Sequence, residues 1–356
     1  MKCNYLSNKG NITSYYVKKK ALIQTNGTSL LYISYNTYTN NFEAITNTYK
    51  LITFKSKIKD SIVTVFDEKL IKIPNKADEI FFNGHNSNIN TNYIGKKQSV
   101  IINDYVILSG FWDKSLLVLN ISDNNKSFTI KNKYDNSPFT YVDKDKYNTM
   151  IFLATHKGSL IVYKVTKIQS NIKFDFHSGR HDHNTQITSL LVNNTLQVIV
   201  TSSSDSTVNI YSYPLIKHIN TIKCENNFSI SNVIISSCPL PVIVIYSYDQ
   251  KRFIVYTING TKLPCTDATP HESDHWISFA KYRGDAFHEY LLLGSDKGVF
   301  ELRKLPELQV KHRMFISQNN YAVNEIVPII THNNFGSVLL CLDHNKEIVI
   351  LDNLNK

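Results

Sequence analysis

The chain has 356 residues, with 39 Lys and Arg against 29 Asp and Glu, for a formal net charge of +10. Its five cysteines (Cys3, Cys224, Cys238, Cys265, Cys341) are odd in number, widely spaced and without a C-x-x-C pair. That argues against a disulfide framework and a zinc knuckle, and fits a reducing compartment. Met1–Asn8 lacks the apolar core of a signal peptide, and the longest apolar run, around Pro239–Tyr246, is too short to cross a bilayer, so a cytoplasmic protein is expected.

Aromatic content of 12% and many β-branched residues favour strands, and no long apolar stripe of helical period stands out. Gly is scarce, at 12 residues, so Asn, Asp and Ser must form turns through their own backbone hydrogen bonds. In chain order, residues 1–20 read as a leader or a ring-closing strand. Asn26–Ile33 and Asp67–Ile73 read as faint hairpins, and Asn83–Ser99 as a polar loop. Asp104–Ser109 then predicts a strand, and Gly110–Ile121 a tight polar turn followed by a second strand.

The same hairpin returns at Ala154–Tyr163 and Thr201–Tyr211, then from Tyr246 to Tyr256, at Leu293–Phe300 and from Cys341 to Leu351. Ser122–Pro138 and Pro264–His275 read as rim loops between units. With Asp113, His156, Asp205, Asp249, Asp296 and Asp343 as turn anchors, the period is roughly 40 to 50 residues, which is that of propeller blades. The two faint hairpins keep the period. Eight hairpins fit seven blades if a terminal hairpin completes a shared blade, and eight blades stay open. The reading is an all-β, WD40-type β-propeller over residues 21–356 as one domain.

Within that pattern, Gly110-Phe111-Trp112-Asp113-Lys114-Ser115 resembles the Gly-Phe/Tyr-Trp-Asp-Lys/Asn-Ser segment of the C-terminal WD-repeat propeller of BEACH-domain proteins, the neurobeachin group. Three colinear matches follow. Gly179-Arg180-His181-Asp182-His183, with Ile187-Thr188, resembles the family's Gly-His-Asp-His/Tyr-Glu-Val-Thr, departing by an inserted arginine and a longer loop. Phe253–Leu263, with Asn259-Gly260, resembles Phe-x-x-Phe-Ser-Ile/Val-Asn-Gly-Lys-x-Leu. Gly294–Val299, with Asp296 and Gly298, resembles Gly-Gly-Asp-x-Gly-Val. The resemblance implies a non-enzymatic scaffold in vesicle, lysosome-related or autophagic membrane traffic. It also implies protein partners on the propeller face or rim, an upstream PH-like and BEACH segment among them, and peripheral membrane association.

Chemistry-bearing residues carry structural readings first. Trp112 is expected to fill space between blades, and Asp113, Asp205, Asp249, Asp296 and Asp343 to bond turn amides and a neighbouring histidine. His177, His181 and His183 with Asp182 have spacings a metal could share, but they also read as caps on a strand, and no metal is expected. His271, Asp274, His275 and His288 with Ser273 lack a Gly-x-Ser-x-Gly elbow, so no catalytic residue is assigned. No phosphate-binding glycine loop is present and no cofactor is expected. The lysine clusters (Lys18–Lys20, then Lys50, Lys55, Lys57 and Lys59) are not interleaved with stacking aromatics, so nucleic acid is not an expected partner. Two alternatives remain: a propeller enzyme acting at the central channel, and a basic platform for anionic lipid or RNA.

Overall fold

Strand follows strand in the computed structural model, each pairing antiparallel with its neighbours in the sheet. The structure describes residues 18–24, 30–36, 41–46, 50–56, 63–70 and 99–352. Breaks within the last range fall at 110–113, 121–126, 170, 226–227, 265–274, 284–287, 317–321, 330–336 and 343–346.

The described residues form seven four-stranded sheets and no helix. Sheet I holds β2–β5 (Leu30–Asn36, Asn41–Thr46, Lys50–Ser56, Val63–Leu70). Sheet II holds β6–β9 (Ser99–Ile102, Tyr105–Leu108, Ser115–Asn120, Phe128–Lys131). Sheet III holds β10–β13 (Phe139–Lys144, Met150–Thr155, Ser159–Ile168, Asn171–His181). Sheet IV holds β14–β17 (Ile187–Asn193, Val198–Ser203, Thr207–Ser212, His218–Lys223). Sheet V holds β18–β21 (Asn232–Ser236, Val242–Ser247, Arg252–Thr257, Lys262–Leu263). Sheet VI holds β22–β25 (Trp276–Arg283, Glu289–Ser295, Val299–Lys304, Gln309–Phe315). Sheet VII holds β26–β28 (Val323–Ile329, Ser337–Leu342, Glu347–Asp352), and its outer place is taken by β1 (Lys18–Gln24), which pairs with β28.

This is the propeller type of all-β fold: short meandering sheets, each a blade. The chain divides into two compact units. One holds sheets I, VI and VII, the other sheets II to V.

Within the second unit, alternation along each strand explains the packing. On β11, Ile151 and Leu153 join a buried cluster with Val100, Ile107 and Val118 of sheet II. The intervening Phe152 and Ala154 join another, with Ile187, Leu190 and Tyr211 of sheet IV. On β15, Ile199 belongs to that second cluster, while Val198 and Val200 pack with Val233, Ile243 and Ile254 of sheet V. Apolar residues on both faces of these strands are therefore required, because every inner sheet is covered twice. In the first unit, Leu292, Phe300 and Leu302 of sheet VI pack likewise with Val323, Ile326 and Val349 of sheet VII.

Backbone irregularities recur at equivalent places. The outer strands of sheets III, IV and VI each carry a one-residue bulge, at His177, Ile219 and Lys311. The first strands of sheets III, IV, VI and VII shift register at Thr140, Thr188, Ile277 and Asn324. Bulges of this kind add local twist and re-aim side chains. Thr140 uses its position to donate to the Ile187 carbonyl of the next sheet (3.3 Å), as Ser278 does to the Val323 carbonyl (2.5 Å).

Three sequence readings change. Leu30–Ile33 starts sheet I as its first strand, while β1 before it pairs with β28 in sheet VII, so the two do not form a hairpin; Asn26 lies outside the described residues. Asp67 lies inside β5, not in a turn. The second hairpin of sheet I joins β3 to β4 instead, so each sheet has one such hairpin. Those two segments are apolar enough to mimic the repeat, but Asp67 falls inside a strand. Within Ser122–Pro138, residues 128–131 are the outer strand of sheet II. Of the leader segment, Lys18–Lys20 belong to β1, and residues 1–17 lie outside the described residues.

Gly158 shows how tightly neighbouring sheets approach. It turns β11 into β12 with φ of 92°, and an added Cβ would come within 2.5 Å of the His183 carbonyl oxygen and 2.6 Å of that of Thr185. Both are backbone atoms of the loop before sheet IV, which cannot swing aside. Gly260 also has positive φ, at 88°, but its nearest neighbour would be 3.6 Å away. Gly158→Ala should therefore destabilise the chain by about 2 kcal/mol or more, and Gly260→Ala by about 1 kcal/mol, in chemical denaturation.

Candidate functional site

At one end of each sheet the second strand turns into the third, beside the loop that arrives from the preceding sheet. In sheets III, IV and VI, His, Asp and Thr residues meet there. In sheet IV, His183 arrives on that loop, Asp205 sits in the β15–β16 turn, and Thr201 and Asn209 lie on the strands. Thr207 Oγ1 donates to Asp205 Oδ1 (2.5 Å), so the His183 Nδ1–H must be the donor to Thr207 Oγ1 (2.9 Å). His183 Nε2 is left to accept, from Thr201 Oγ1 (2.8 Å) and Asn209 Nδ2 (3.3 Å).

Asp205 also accepts the amides of Asn184 (2.9 Å) and Thr207 (3.0 Å). Partial burial alone would raise its pKa. The hydrogen bonds from His183, Thr207 and the Asn184 amide outweigh that and hold the carboxyl well below the usual range.

A hydroxyl, a histidine and a carboxylate line up here as in a hydrolytic triad, except that Thr207 stands between the His183 Nδ1–H and Asp205. Access decides against that use. Thr201 is 0% exposed and His183 2%, so no reacting carbon can reach Thr201 Oγ1. The network stitches a turn to a loop.

Sheet III makes the same stitch with its parts exchanged. The turn position carries His156, which is exposed. The carboxylate comes from the arriving loop: Asp135 accepts Thr155 Oγ1 (2.6 Å), Ser137 Oγ (2.9 Å) and Asn132 Nδ2 (2.6 Å). Burial raises its pKa and these donors lower it further than that, for a net depression. In sheet VI, Asp296 accepts the His275 amide (3.2 Å) and donates its own amide to the His275 carbonyl (3.0 Å). Asp249 is exposed, and Ser231 and Ser247 bond that turn in its stead. Gly260 and Gly298 occupy positive-φ turn positions. Gly110, Trp112, Asp113 and Asp343 lie outside the described residues, as do His271, Ser273 and Asp274.

The metal-spaced histidines do not converge. His177 Nδ1 pairs with Ser178 Oγ, His181 Nδ1 with Ser159 Oγ, and His183 is committed as above. Among the described residues no group of three His, Cys, Asp or Glu side chains could hold a metal ion.

Next to these stitches an accessible surface forms on the outer strand of sheet III. Gly179 leaves open the space a side chain would fill, and the Tyr134 ring lies there. Tyr134 stacks on Phe176 (6.0 Å between centroids, 24° between planes), and Phe176 meets Tyr163 edge-on at 5.9 Å. The bulge at His177 turns Phe176 outward, leaving it 54% exposed and Tyr134 44%.

Beside this ledge Arg180 donates to Asp182 (2.7 Å) and lies over the Tyr211 ring (5.7 Å). Asp182 raises the Arg180 pKa. Partial burial raises that of Asp182, but its hydrogen bond with Arg180 leaves it lowered overall. Sequence reading found Gly179 to Asp182 but missed Tyr134 and Phe176. The available signal was a glycine within an outer strand, which marks a close approach by another group.

The chain matches no family model and no curated protein.

The depressed Asp205 pKa fixes a sign. A carboxyl whose folded pKa lies below its unfolded value of about 3.9 contributes stability above that value and loses it as pH falls toward the folded pKa. Asp205→Asn should therefore lower stability at pH 7. The gap from the parent chain should narrow steadily below about pH 4 in urea titrations. A gap independent of pH would show that the carboxylate charge contributes nothing.

Proposed function

We propose that this chain is a non-catalytic interaction scaffold that docks protein partners on the ledge formed by Tyr134, Phe176 and Arg180. The observation that carries the reading is the exposed, stacked Tyr134–Phe176 pair, held rigid by Gly179 beneath it and flanked by Arg180. Aromatic and arginine groups on a stiff frame give contact area at low entropic cost and dominate protein interfaces. The outer edge of β13 adds backbone groups for an extended segment, since β13 is the last strand of its sheet.

The finer reading is the WD-repeat part of a BEACH-type protein acting in vesicle or lysosomal membrane traffic. It draws support from the four colinear motifs, of which Gly179–Thr188 contributes Arg180 and Asp182 to the ledge. On that reading a BEACH-type segment is the partner.

A photo-crosslinking residue placed at Phe176, in the presence of a BEACH-type segment, should give a discrete adduct. The same residue at Ile219, comparably exposed on the next sheet, should not. Tyr134→Ala or Arg180→Ala should reduce the adduct at least about tenfold, as expected when a central anchor is lost. Equal adducts at both sites, or none at Phe176, would count against the ledge.

A further inference from the structure

The opposite end of the same sheets carries a different surface. There the first strand turns into the second and the third into the fourth. In sheet III the β10–β11 turn exposes Lys146 and Tyr147, the latter 70% exposed. The β12–β13 hairpin runs on past the β11 register, which ends at Met150 opposite Lys164, to Ile168 opposite Asn171. Four further residues carry its tip roughly 13 Å beyond the inner strands. That tip presents Lys167 and Ile168, the latter 53% exposed. In sheet IV the β16–β17 turn presents Leu215, 67% exposed, and Lys217.

The two sheets bring these turns together. Tyr213 Oη donates to Asp145 Oδ2 (3.1 Å), and the Lys146 amide donates to Asn194 Oδ1 (3.1 Å).

Single exposed apolar residues are ordinary on protein surfaces. Here three of them project from the tips at one end, each beside a lysine. Residues 144–149, 167–169 and 213–217 expose no carboxylate, because Asp145, the one acid among them, is fully buried. Its oxygens accept Thr149 N (2.7 Å), Thr149 Oγ1 (2.7 Å), Met150 N (2.9 Å) and Tyr213 Oη. Burial and the neighbouring Asp145 push the Tyr213 hydroxyl up to about 12, so it stays a neutral donor.

An apolar tip beside a cation suits a boundary that is greasy on one side and negatively charged on the other. Lysine stems can lie along the apolar layer while their ammonium groups reach lipid phosphates.

We propose that this end of sheets III and IV is a membrane-docking surface. Tyr147, Ile168 and Leu215 enter the headgroup layer of an anionic bilayer, and Lys146, Lys167 and Lys217 bind its phosphates. It uses none of the residues of the protein-docking ledge, so either surface can fail without the other.

The test is co-sedimentation of the whole chain with phosphatidylcholine vesicles, with and without phosphatidylserine. Binding should require phosphatidylserine and weaken as salt is raised. K146A/K217A should lower vesicle affinity by about twenty-five-fold, at roughly fivefold per lysine. Tyr147→Trp, a change at an exposed tip, should give a blue-shifted emission on binding that brominated lipid quenches. Tyr147→Ser with Leu215→Ser should abolish sedimentation, while Phe176→Ala leaves it unchanged.

Equal binding to neutral and anionic vesicles would overturn the proposal. So would unaltered affinity of K146A/K217A, or Tyr147→Trp emission that brominated lipid fails to quench. Failure to bind vesicles alongside lysine-dependent binding of polyglutamate would also overturn it, and would assign the surface to an acidic protein.

Discussion

A four-stranded sheet with apolar residues on both faces has no stable existence by itself, and this constraint shapes nearly everything else. Ile151 and Leu153 look one way, Phe152 and Ala154 the other, and each pair is buried in a different cluster. Burying a side chain of that size stabilises by roughly 1.5–3 kcal/mol, so a face left uncovered would cost several times that over one strand. Sheets must therefore be stacked closely. Close stacking in turn demands small groups where backbones meet, which is why a glycine turns β11 into β12 against the loop before sheet IV.

Apolar stacking fixes separation but not register, since one greasy face slides readily on another. Directional bonds at the turn end supply what is missing. His183, Thr201 and Asp205 tie the β15–β16 turn to the arriving loop in sheet IV, and Asp135 with Thr155 does so in sheet III. The acid sits on the turn in one sheet and on the loop in the other. Either placement satisfies the buried hydroxyls and amides, so only the network, not the position of each residue, is constrained. Sheet VI carries the exchange further. Where sheets III and IV have Tyr163 and Tyr211 facing an outer-strand partner, it has Arg303, 1% exposed and bonded to Glu301 (2.6 Å), which also accepts from Arg313 (3.1 Å). A buried charge is tolerated there because it is paired twice.

The repeat was legible because the turn between second and third strand is built the same way in sheet after sheet: apolar strand, Asp or Ser in the turn, apolar strand. It misled at Leu30–Ile33 and at Asp67, where similar composition falls on the first and on the outer strand of one sheet. Outer strands such as β9 and β17 are half exposed and carry few apolar residues, so periodicity gave little sign of them. The His–Asp pairing was readable as turn chemistry at Asp205, but not at Asp135, whose partner Thr155 lies in the next strand pair, 20 residues away. The Tyr134–Phe176 ledge leaves a single mark on the sequence, the glycine at 179. It depends on a bulge at His177 and on a ring crossing to Gly179 from a separate loop, and neither leaves a periodic trace.

The same economy decides where function can reside. His183, Thr201 and Thr155 are withdrawn into the stitches, and their burial is what makes the stitches strong. Accessible groups include ones that stacking does not need: an aromatic pair lifted out by a bulge on β13, and apolar tips with lysines at one end of sheets III and IV. Neither set contributes to the clusters between sheets, so each can change without loosening the stack. A frame of this kind favours binding by separate surfaces over a single shared site, because the two surfaces are joined by rigid strands but by no common side chain.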